Sequence, residues 1–239
     1  MFTWRADRPE LTWAITDREG GVSAAPYGSL NLGSRVGDDP GAVEANRARL
    51  AAALAVAPDR LVFLNQVHGA EVIEVDETPH TDPAADVVVT RATELALCVL
   101  AADCVPVLAA APEAGLIGAA HIGRPGMVAG AAQALLAALR DRGAERIEAV
   151  VGPAVCGGCY EVPRDLFEAA TAVVPQAAAR SHSGTPALDI AAGVIAQLRQ
   201  GGVEPQRVGA CTRESDSLFS YRRDQRTGRH GGVVVRHAV

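Results

Sequence analysis

The sequence predicts an α/β fold in which helices cover central sheets. Short apolar runs bounded by glycine, proline or charged residues recur from residue 61 to residue 120, as expected for buried strands. Segments with helical periodicity lie before and after this strand-rich centre, and this combination favours an α/β class. The 239 residues contain no internal repeat and no long polar linker, so we expect a single domain over residues 1–239.

The predicted elements follow from turn residues and periodicity. A helix begins at Pro40 after Asp39 as its N-cap and runs to about Val56, because proline is favoured at the first helical position. Short strands are predicted at 61–64, 71–75, 86–89, 95–100, 105–109 and 116–120. Further helices are predicted over 127–140, from residue 164 and over 188–198, with strands at 146–151, near 208 and at 233–236.

The composition excludes several classes of function. The formal net charge is −6 and no basic block or stripe is present, so we expect no nucleic acid as a partner. The chain contains no lysine, and all 22 basic residues are arginine. Schiff-base enzymes and ordinary P-loop NTPases both depend on a lysine, so the sequence excludes both classes.

The hydropathy pattern predicts a cytoplasmic protein without membrane contact. Residues 1–13 carry charges throughout and lack the apolar run and cleavage site of a secretory signal. The most hydrophobic stretch, residues 95–111, is interrupted by Asp103 and Pro106 and is too short to span a bilayer comfortably. Five cysteines in a cytosolic chain favour reduced thiols, metal ligation or catalysis over a disulfide framework.

Three side chains that can bind a metal ion lie at the ends of three apolar strands. They are His68 in Asn-Gln-Val-His-Gly, Cys104 in Ala-Asp-Cys-Val-Pro, and His121 before a glycine. Each has an ordinary alternative, since a lone histidine is often a surface or hydrogen-bonded side chain and a lone cysteine a small buried hydrophobe. Two imidazoles and one thiolate are a known zinc ligand set with one open position, and the same set suits copper.

The remaining cysteines and histidines give weaker signals. Cys156 and Cys159 form a Cys-x-x-Cys pair, which can be redox-active or half of a zinc site. No second pair completes a four-cysteine site, and the following residues do not resemble the helix of the redox motif, so we interpret the pair as a structural loop. The others are interpreted as bystanders: Cys98, Cys211, His80, His182, His230 and His237.

Arginines near the C-terminus offer a site for an anion. Arg222 and Arg223 follow Ser220-Tyr221, and Arg229 follows a glycine a few residues later. The planar guanidinium suits bidentate recognition of a phosphate or carboxylate. A solvated, charged hairpin is the structural alternative.

Taken in order, these motifs resemble the YfiH family, also called the peptidoglycan editing factor or multicopper polyphenol oxidase (laccase-like) domain. The resemblance covers nearly the whole chain, through Asn-Leu-Gly at 31–33, Val-Gly-Asp-Asp-Pro at 36–40, Asn46-Arg47, Gln-Val-His-Gly at 66–69, Ala-Asp-Cys-Val-Pro at 102–106, His121, Gly-Pro at 152–153, Cys-Tyr-Glu-Val at 159–162, Phe-Ser-Tyr-Arg-Arg-Asp at 219–224 and Thr-Gly-Arg at 227–229. It implies a layered α/β (α+β mixed) domain with central mixed sheets flanked by helices, similar to cytotoxic necrotizing factor toxins. It also implies that the zinc ligands and catalytic residues are His68, Cys104 and His121.

The resemblance implies a zinc-dependent purine nucleoside enzyme. Its expected reactions are phosphorolysis of adenosine, inosine, guanosine or methylthioadenosine, and deamination of adenosine by a water whose pKa the metal lowers to about 7. Asp103, beside the thiolate, is the expected supporting group or general acid/base. The expected substrate and phosphate contacts are Asn31, Arg47, Gln66, Tyr221, Arg222 and Arg229.

One departure from the family pattern leaves substrate preference open, and three other functions remain. Where the family commonly has His-Ala-Gly-Trp-Arg-Gly, this chain has His-Ile-Gly-Arg-Pro-Gly at 121–126. A cysteine hydrolase acting on peptidoglycan precursors would use Cys104 as nucleophile and His121 as its base. A multicopper polyphenol oxidase is disfavoured, because the chain has six histidines and no His-x-His pair. A non-catalytic module that senses a ligand is the third alternative.

Overall fold

The computed structural model describes residues 1–238, in which two large sheets pack face to face between helices. The strands are β1 (Phe2–Arg8), β2 (Leu11–Thr16), β3 (Leu61–Val62), β4 (Val72–Glu74), β5 (Val87–Thr90), β6 (Ala96–Ala101), β7 (Val105–Ala111), β8 (Leu116–Ile122), β9 (Glu148–Val151), β10 (Ala178–Arg180), β11 (Pro186–Leu188), β12 (Gln206–Arg207) and β13 (His230–Arg236). The helices are α1 (Pro40–Ala53), α2 (Arg124–Ala129), α3 (Ala131–Arg140), α4 (Arg164–Val173), α5 (Ile190–Gln200) and α6 (Tyr221–Asp224). Within residues 1–238, none of these helices has the length and apolar character needed to cross a membrane.

The first sheet has five strands in the order β1-β2-β13-β6-β3. All neighbours are antiparallel except β3, which runs parallel to β6. Helix α1 covers the outer face of this sheet, where Leu50 and Leu54 pack with Val233 and Val235 of β13. The predicted cap of α1 is present, because the Asp39 side chain accepts a hydrogen bond from Ala42 N at 2.8 Å.

The second sheet has six strands in the order β12-β9-β7-β8-β5-β4. Val107 and Ala109 of β7 face a core shared with α3 and α5, whereas Leu108 between them faces the first sheet. Both faces of the sheet are buried at its centre, which explains why β5, β7 and β8 are continuous apolar runs rather than alternating ones. The layers follow in the order helix, sheet, sheet, helices.

The predicted mixed α/β class with central sheets and flanking helices is confirmed, with differences in detail. The helix predicted over 127–140 is two helices, because Gly130 adopts a left-handed φ of 84° between α2 and α3. The hairpin of β1 and β2 was not predicted. Charged residues in β1 obscure the pattern, because this edge strand is partly exposed to solvent.

Candidate functional site

The site lies at one end of the sandwich, where the chain crosses twice from the first sheet to the second. The segment between β3 and β4 carries His68, and the short connection between β6 and β7 carries Asp103 and Cys104. His121 lies near the C-terminal end of β8, directly opposite Pro106 of β7. The fold therefore brings together residues that are far apart in sequence.

The three predicted metal ligands meet at this end of the sheets. One donor atom each of His68, Cys104 and His121 lie within 4.8 Å of one another. The Cys104 Sγ atom is 3.8 Å from His68 Nε2, and the two imidazole rings meet edge to face. A Cβ at Gly123 would lie 2.8 Å from His68 Cδ2 and 3.1 Å from Cys104 Sγ, so only glycine leaves room for this arrangement.

A buried carboxylate, Asp86, holds His121 in place. Its Oδ1 is 2.8 Å from His121 Nδ1, and its Oδ2 accepts hydrogen bonds from the backbone N–H of Gly69 at 2.6 Å and of Val67 at 3.2 Å. This contact fixes the ring and leaves Nε2 as its free nitrogen. Sequence reasoning missed Asp86 as a site residue, although an acidic residue directly before Val-Val-Val in a buried strand was a usable signal.

The thiolate form of Cys104 and the protonated form of His121 stabilise each other. Burial opposes ionisation of Cys104, but His121 and His68 outweigh it and lower the pKa of the thiol to about 6. Burial also opposes the charge on His121, whereas Cys104 and Asp86 raise the pKa of this imidazole to about 9. Near neutral pH, the metal-free site therefore favours a thiolate beside an imidazolium, and the thiolate is the form that binds metals or attacks electrophiles.

These residues fit a metal ion. Two imidazoles and one thiolate converge from three segments, and a buried carboxylate orients one of the imidazoles, as is usual for a metal-binding histidine. The set suits zinc or copper with at least one position left for substrate or water. His68 adopts a left-handed φ of 62°, which points to a conformation held by its surroundings.

Asp103 contacts the loop that precedes α6. Its Oδ1 accepts hydrogen bonds from the hydroxyls of Thr212 at 2.6 Å and Ser220 at 2.7 Å, and its Oδ2 accepts from the Arg222 backbone N–H at 2.6 Å. The carboxylate is thus engaged by three donors and buried. These contacts give Asp103 a role in positioning the loop, whereas its predicted part in proton transfer stays a prediction.

A pocket of about 700 Å³ opens above the three ligands. Its volume lies in the range of small-molecule sites. Five of the six predicted substrate contacts line it: Arg47, Gln66, Tyr221, Arg222 and Arg229. Tyr160 also lines the pocket. Further lining residues that sequence reasoning did not select include Ser34, Arg35, Asp82, Arg124 and Gln225.

The sixth predicted contact, Asn31, is fully buried and does not line the pocket. Its side chain donates to Gly33 O and Asp38 Oδ2 and accepts from the N–H groups of Gly33 and Arg229. The structure thus places Asn31 behind the pocket, where it holds Arg229. Gln66 lines the pocket, and its amide pairs with both backbone groups of Leu100 at 2.7 Å.

Two half-buried arginines present guanidinium groups to the pocket. The Arg47 guanidinium stacks 3.7 Å from the centre of the Phe63 ring, and its Nε donates to Leu32 O. Arg229 Nη1 donates to the carbonyls of Thr227 and Gly228. Burial lowers the pKa of both arginines, but neither forms an ion pair within residues 1–238, so both charges remain available to an anion.

The Cys-x-x-Cys pair lies outside this pocket and meets two residues from a distant segment. Cys156 and Cys159 lie with Cys211 and Glu214, and His182 Nε2 is 3.0 Å from Glu214 Oε1. Sequence reasoning did not group these side chains, since the three segments are joined only by the fold. Burial raises the pKa of Cys156, opposite to the shift that activates a redox Cys-x-x-Cys.

Comparisons with known proteins show which family the chain resembles over most of its length. A family model described as multi-copper polyphenol oxidoreductase laccase matches residues 12–237. A protein of Streptomyces coelicolor named purine nucleoside phosphorylase is 55% identical over 228 residues, which cover 93% of this chain and 94% of that protein. The purine nucleoside phosphorylase YfiH of Escherichia coli is 38% identical, with 91% and 90% covered.

Solved structures show the same fold. The crystal structure of YlmD from Geobacillus stearothermophilus superposes with a TM-score of 0.90 at 30% identity, covering 99% of both chains. A Neisseria meningitidis protein superposes with a TM-score of 0.87 at 33% identity, covering 98% of this chain and 99% of its own.

Proposed function

The chain belongs to the family described as multi-copper polyphenol oxidoreductase laccase, which includes YfiH, and we propose that it is a metal-dependent purine nucleoside phosphorylase. The proposal rests on one observation: a possible metal ligand set and arginines without an ion-pair partner in the described part of the chain, Arg47 and Arg229 among them, lie in one pocket large enough for a nucleoside. A nucleoside and an inorganic phosphate are therefore the proposed substrates.

In phosphorolysis, a phosphate oxygen bonds to C1′ of the ribose as the bond from C1′ to the purine nitrogen breaks. The electron pair leaves with the base, which takes up a proton, and the sugar is released as ribose 1-phosphate. Arg47 and Arg229 are the proposed phosphate ligands, because both line the pocket without an ion-pair partner within residues 1–238 and their guanidinium groups are fixed there by the Phe63 ring and by backbone carbonyls. The apolar edge of the Tyr160 ring, with Arg222 stacked 4.7 Å from its centre, offers a wall for the purine.

His68, Cys104 and His121 would hold the metal ion, and zinc is the proposed metal. A bound zinc ion supplies a Lewis acid and an acidified water in the pocket. The Asp86 carboxylate accepts a hydrogen bond from His121 Nδ1–H, which keeps the proton on Nδ1 and leaves Nε2 free to bind the metal. Asp103 holds the start of α6, which carries Tyr221 and Arg222, against the pocket.

We also propose that the site deaminates adenosine, with water added at C6 and ammonia released. The two reactions differ in one requirement that separates them experimentally, since deamination needs no phosphate. Substituting Arg47 or Arg229 by Ala should therefore reduce adenine release more than inosine formation.

The test is incubation of metal-analysed protein with adenosine, inosine, guanosine or methylthioadenosine, with and without phosphate, followed by chromatography. We expect phosphate-dependent release of the base, lost in Cys104→Ala and His68→Ala. Cys98→Ala and His80→Ala, which lie outside the ligand set, serve as matched controls and should keep activity. Retention of both reactions in a folded Cys104→Ala protein would contradict the proposal.

A second candidate is a cysteine hydrolase that acts on an amide or ester of a cell-wall precursor. It is favoured by one observation, the low pKa of Cys104 beside His121. This candidate predicts covalent labelling of Cys104 by an electrophilic substrate analogue and full activity after metal removal. The nucleoside proposal predicts loss of activity after metal removal and its return with zinc.

Polyphenol oxidation and simple ligand sensing are disfavoured. The six histidines contain no His-x-His pair, so the chain lacks the ligands of a multi-copper centre. A copper-loaded protein should show at most slow oxidation of a phenol. A sensing module would bind nucleosides without turnover, and the chromatographic assay distinguishes it.

A further inference from the structure

A second group of metal-binding side chains lies outside the pocket. Donor atoms of Cys156, Cys159, Cys211 and Glu214 lie within 4.8 Å of one another. Glu214 Oε1 is 3.2 Å from Cys159 Sγ and 4.0 Å from Cys156 Sγ. All five cysteines of the chain are free thiols in this structure, so no disulfide ties this group together.

We propose that these four side chains bind a second metal ion, a zinc ion in a closed structural site. Thiolate sulfur and carboxylate oxygen are both zinc ligands, and three thiolates with one carboxylate supply the four ligands of a closed tetrahedral site, with no position left for a substrate. The site shares no ligand with the His68, Cys104 and His121 set. The inference therefore does not depend on the proposed nucleoside chemistry.

The first two cysteines are brought together by a tight turn. The backbone N–H groups of Cys159 and Tyr160 both donate to Cys156 O, at 2.9 and 3.0 Å. A Cβ at Gly158 would lie 2.7 Å from the His182 ring, so glycine is required for this close approach. The turn and the segment of His182 thus pack as one unit, with the Cys156 and Cys159 sulfurs near each other.

The other two ligands come from the segment after β12. Cys211 pairs with Ala154 in a parallel β-bridge, Thr212 N donates to Ala154 O, and Cys156 N donates to Cys211 Sγ at 3.3 Å. Glu214 reaches back to the cluster, where His182 Nε2 is 3.0 Å from its Oε1. A histidine on a ligating carboxylate is the kind of outer partner that orients metal ligands.

The position of the cluster indicates a structural role for the metal. The segment that carries Cys211 and Glu214 continues to Ser220, and its hydroxyls at Thr212 and Ser220 hold Asp103 beside the first site. A zinc ion would fix this segment to the Cys156 turn and so stabilise the wall of the pocket. Zinc binding would contribute to folding stability, as it does in other closed sites.

The experiment counts metal ions and identifies their ligands in the full chain. The double variant His68→Ala/Cys104→Ala removes the first site, so its metal content by mass spectrometry reports only the second. We expect two zinc equivalents in the wild type and one in this variant. X-ray absorption at the zinc edge of the variant should show mainly sulfur at about 2.3 Å.

Cys211→Ala is the complementary variant, and Cys98→Ala is its matched control. We expect Cys211→Ala to lose one zinc equivalent, to keep a nitrogen-containing zinc site and to melt at a lower temperature, whereas Cys98→Ala keeps both ions. If Cys211→Ala fails to fold, the double variant still decides the question. A folded double variant that binds no zinc, or a Cys156–Cys159 disulfide found by mass mapping of anaerobically purified protein, overturns the proposal.

Discussion

Asp86→Asn isolates the contribution of the carboxylate that holds His121. The carboxylate lies 2.8 Å from His121 Nδ1 and accepts the Gly69 N–H at 2.6 Å, and it is fully buried. An amide has one oxygen, so it accepts from only one of these groups and turns its NH₂ towards the other. If the NH₂ faces Nδ1, the ring proton moves to Nε2, which is then unable to bind a metal.

The expected magnitude follows from these contacts. Loss of an outer partner of a metal-bound histidine costs about 10–100-fold in metal affinity, and this equals about 1.4–2.7 kcal/mol. If the NH₂ instead faces Gly69, a buried backbone N–H is left without an acceptor, at a cost of about 1–3 kcal/mol of stability. We therefore expect both weaker metal binding and a lower free energy of unfolding.

The assay is competition with a chelator of known zinc affinity, together with urea unfolding of the metal-free protein. Asp76→Asn is the matched control, since Asp76 is exposed and does not line the pocket. The control should match the wild type in both measurements. An Asp86→Asn protein with unchanged zinc affinity and unchanged stability would refute the role assigned to this carboxylate.

Three further predictions follow from single contacts. Gly123→Ala should abolish metal binding at the first site in a folded protein, measured by zinc titration, because its Cβ would lie 2.8 Å from the His68 ring. Asp103→Ala removes three hydrogen bonds, so it should lower stability in urea by about 2–4 kcal/mol and raise KM more than it lowers kcat. Burial lowers the pKa of His230 to about 3, so the folded state excludes a proton that the unfolded state takes up below about 6.5. His230 should therefore lower the free energy of unfolding by about 1.4 kcal/mol for each pH unit between pH 6 and 4, and His230→Phe should remove this contribution from the measured slope.

The convergence of His68, Cys104 and His121 was predictable because each of these residues carries its own local signal. His68, Cys104 and His121 all interrupt or end apolar runs, and strand ends are where a sheet presents polar side chains. Asp86 has the same kind of position, but its carboxylate acts through His121, and no spacing in the sequence links the two. Its role appears only when β5 and β8 pair side by side.

The elements that escaped prediction depend on tertiary contacts. The edge strand β1 carries charged residues and is recognisable only through its antiparallel pairing with β2. Cys211 looked like a lone cysteine because it lies 52 positions after Cys159 in the sequence, and the β-bridge to Ala154 brings the two together in the fold. Asn31 was expected to contact the substrate, whereas its side chain forms hydrogen bonds within the protein, one of them from the Arg229 backbone N–H.

The most direct test of the proposed function is phosphorus NMR of the zinc-loaded wild type incubated with inosine and inorganic phosphate. The account predicts that the inorganic phosphate signal declines as a ribose 1-phosphate signal grows, in step with hypoxanthine release, and that Cys104→Ala shows neither change. Hypoxanthine released without consumption of phosphate, or no release from a protein with the first site filled, would contradict it.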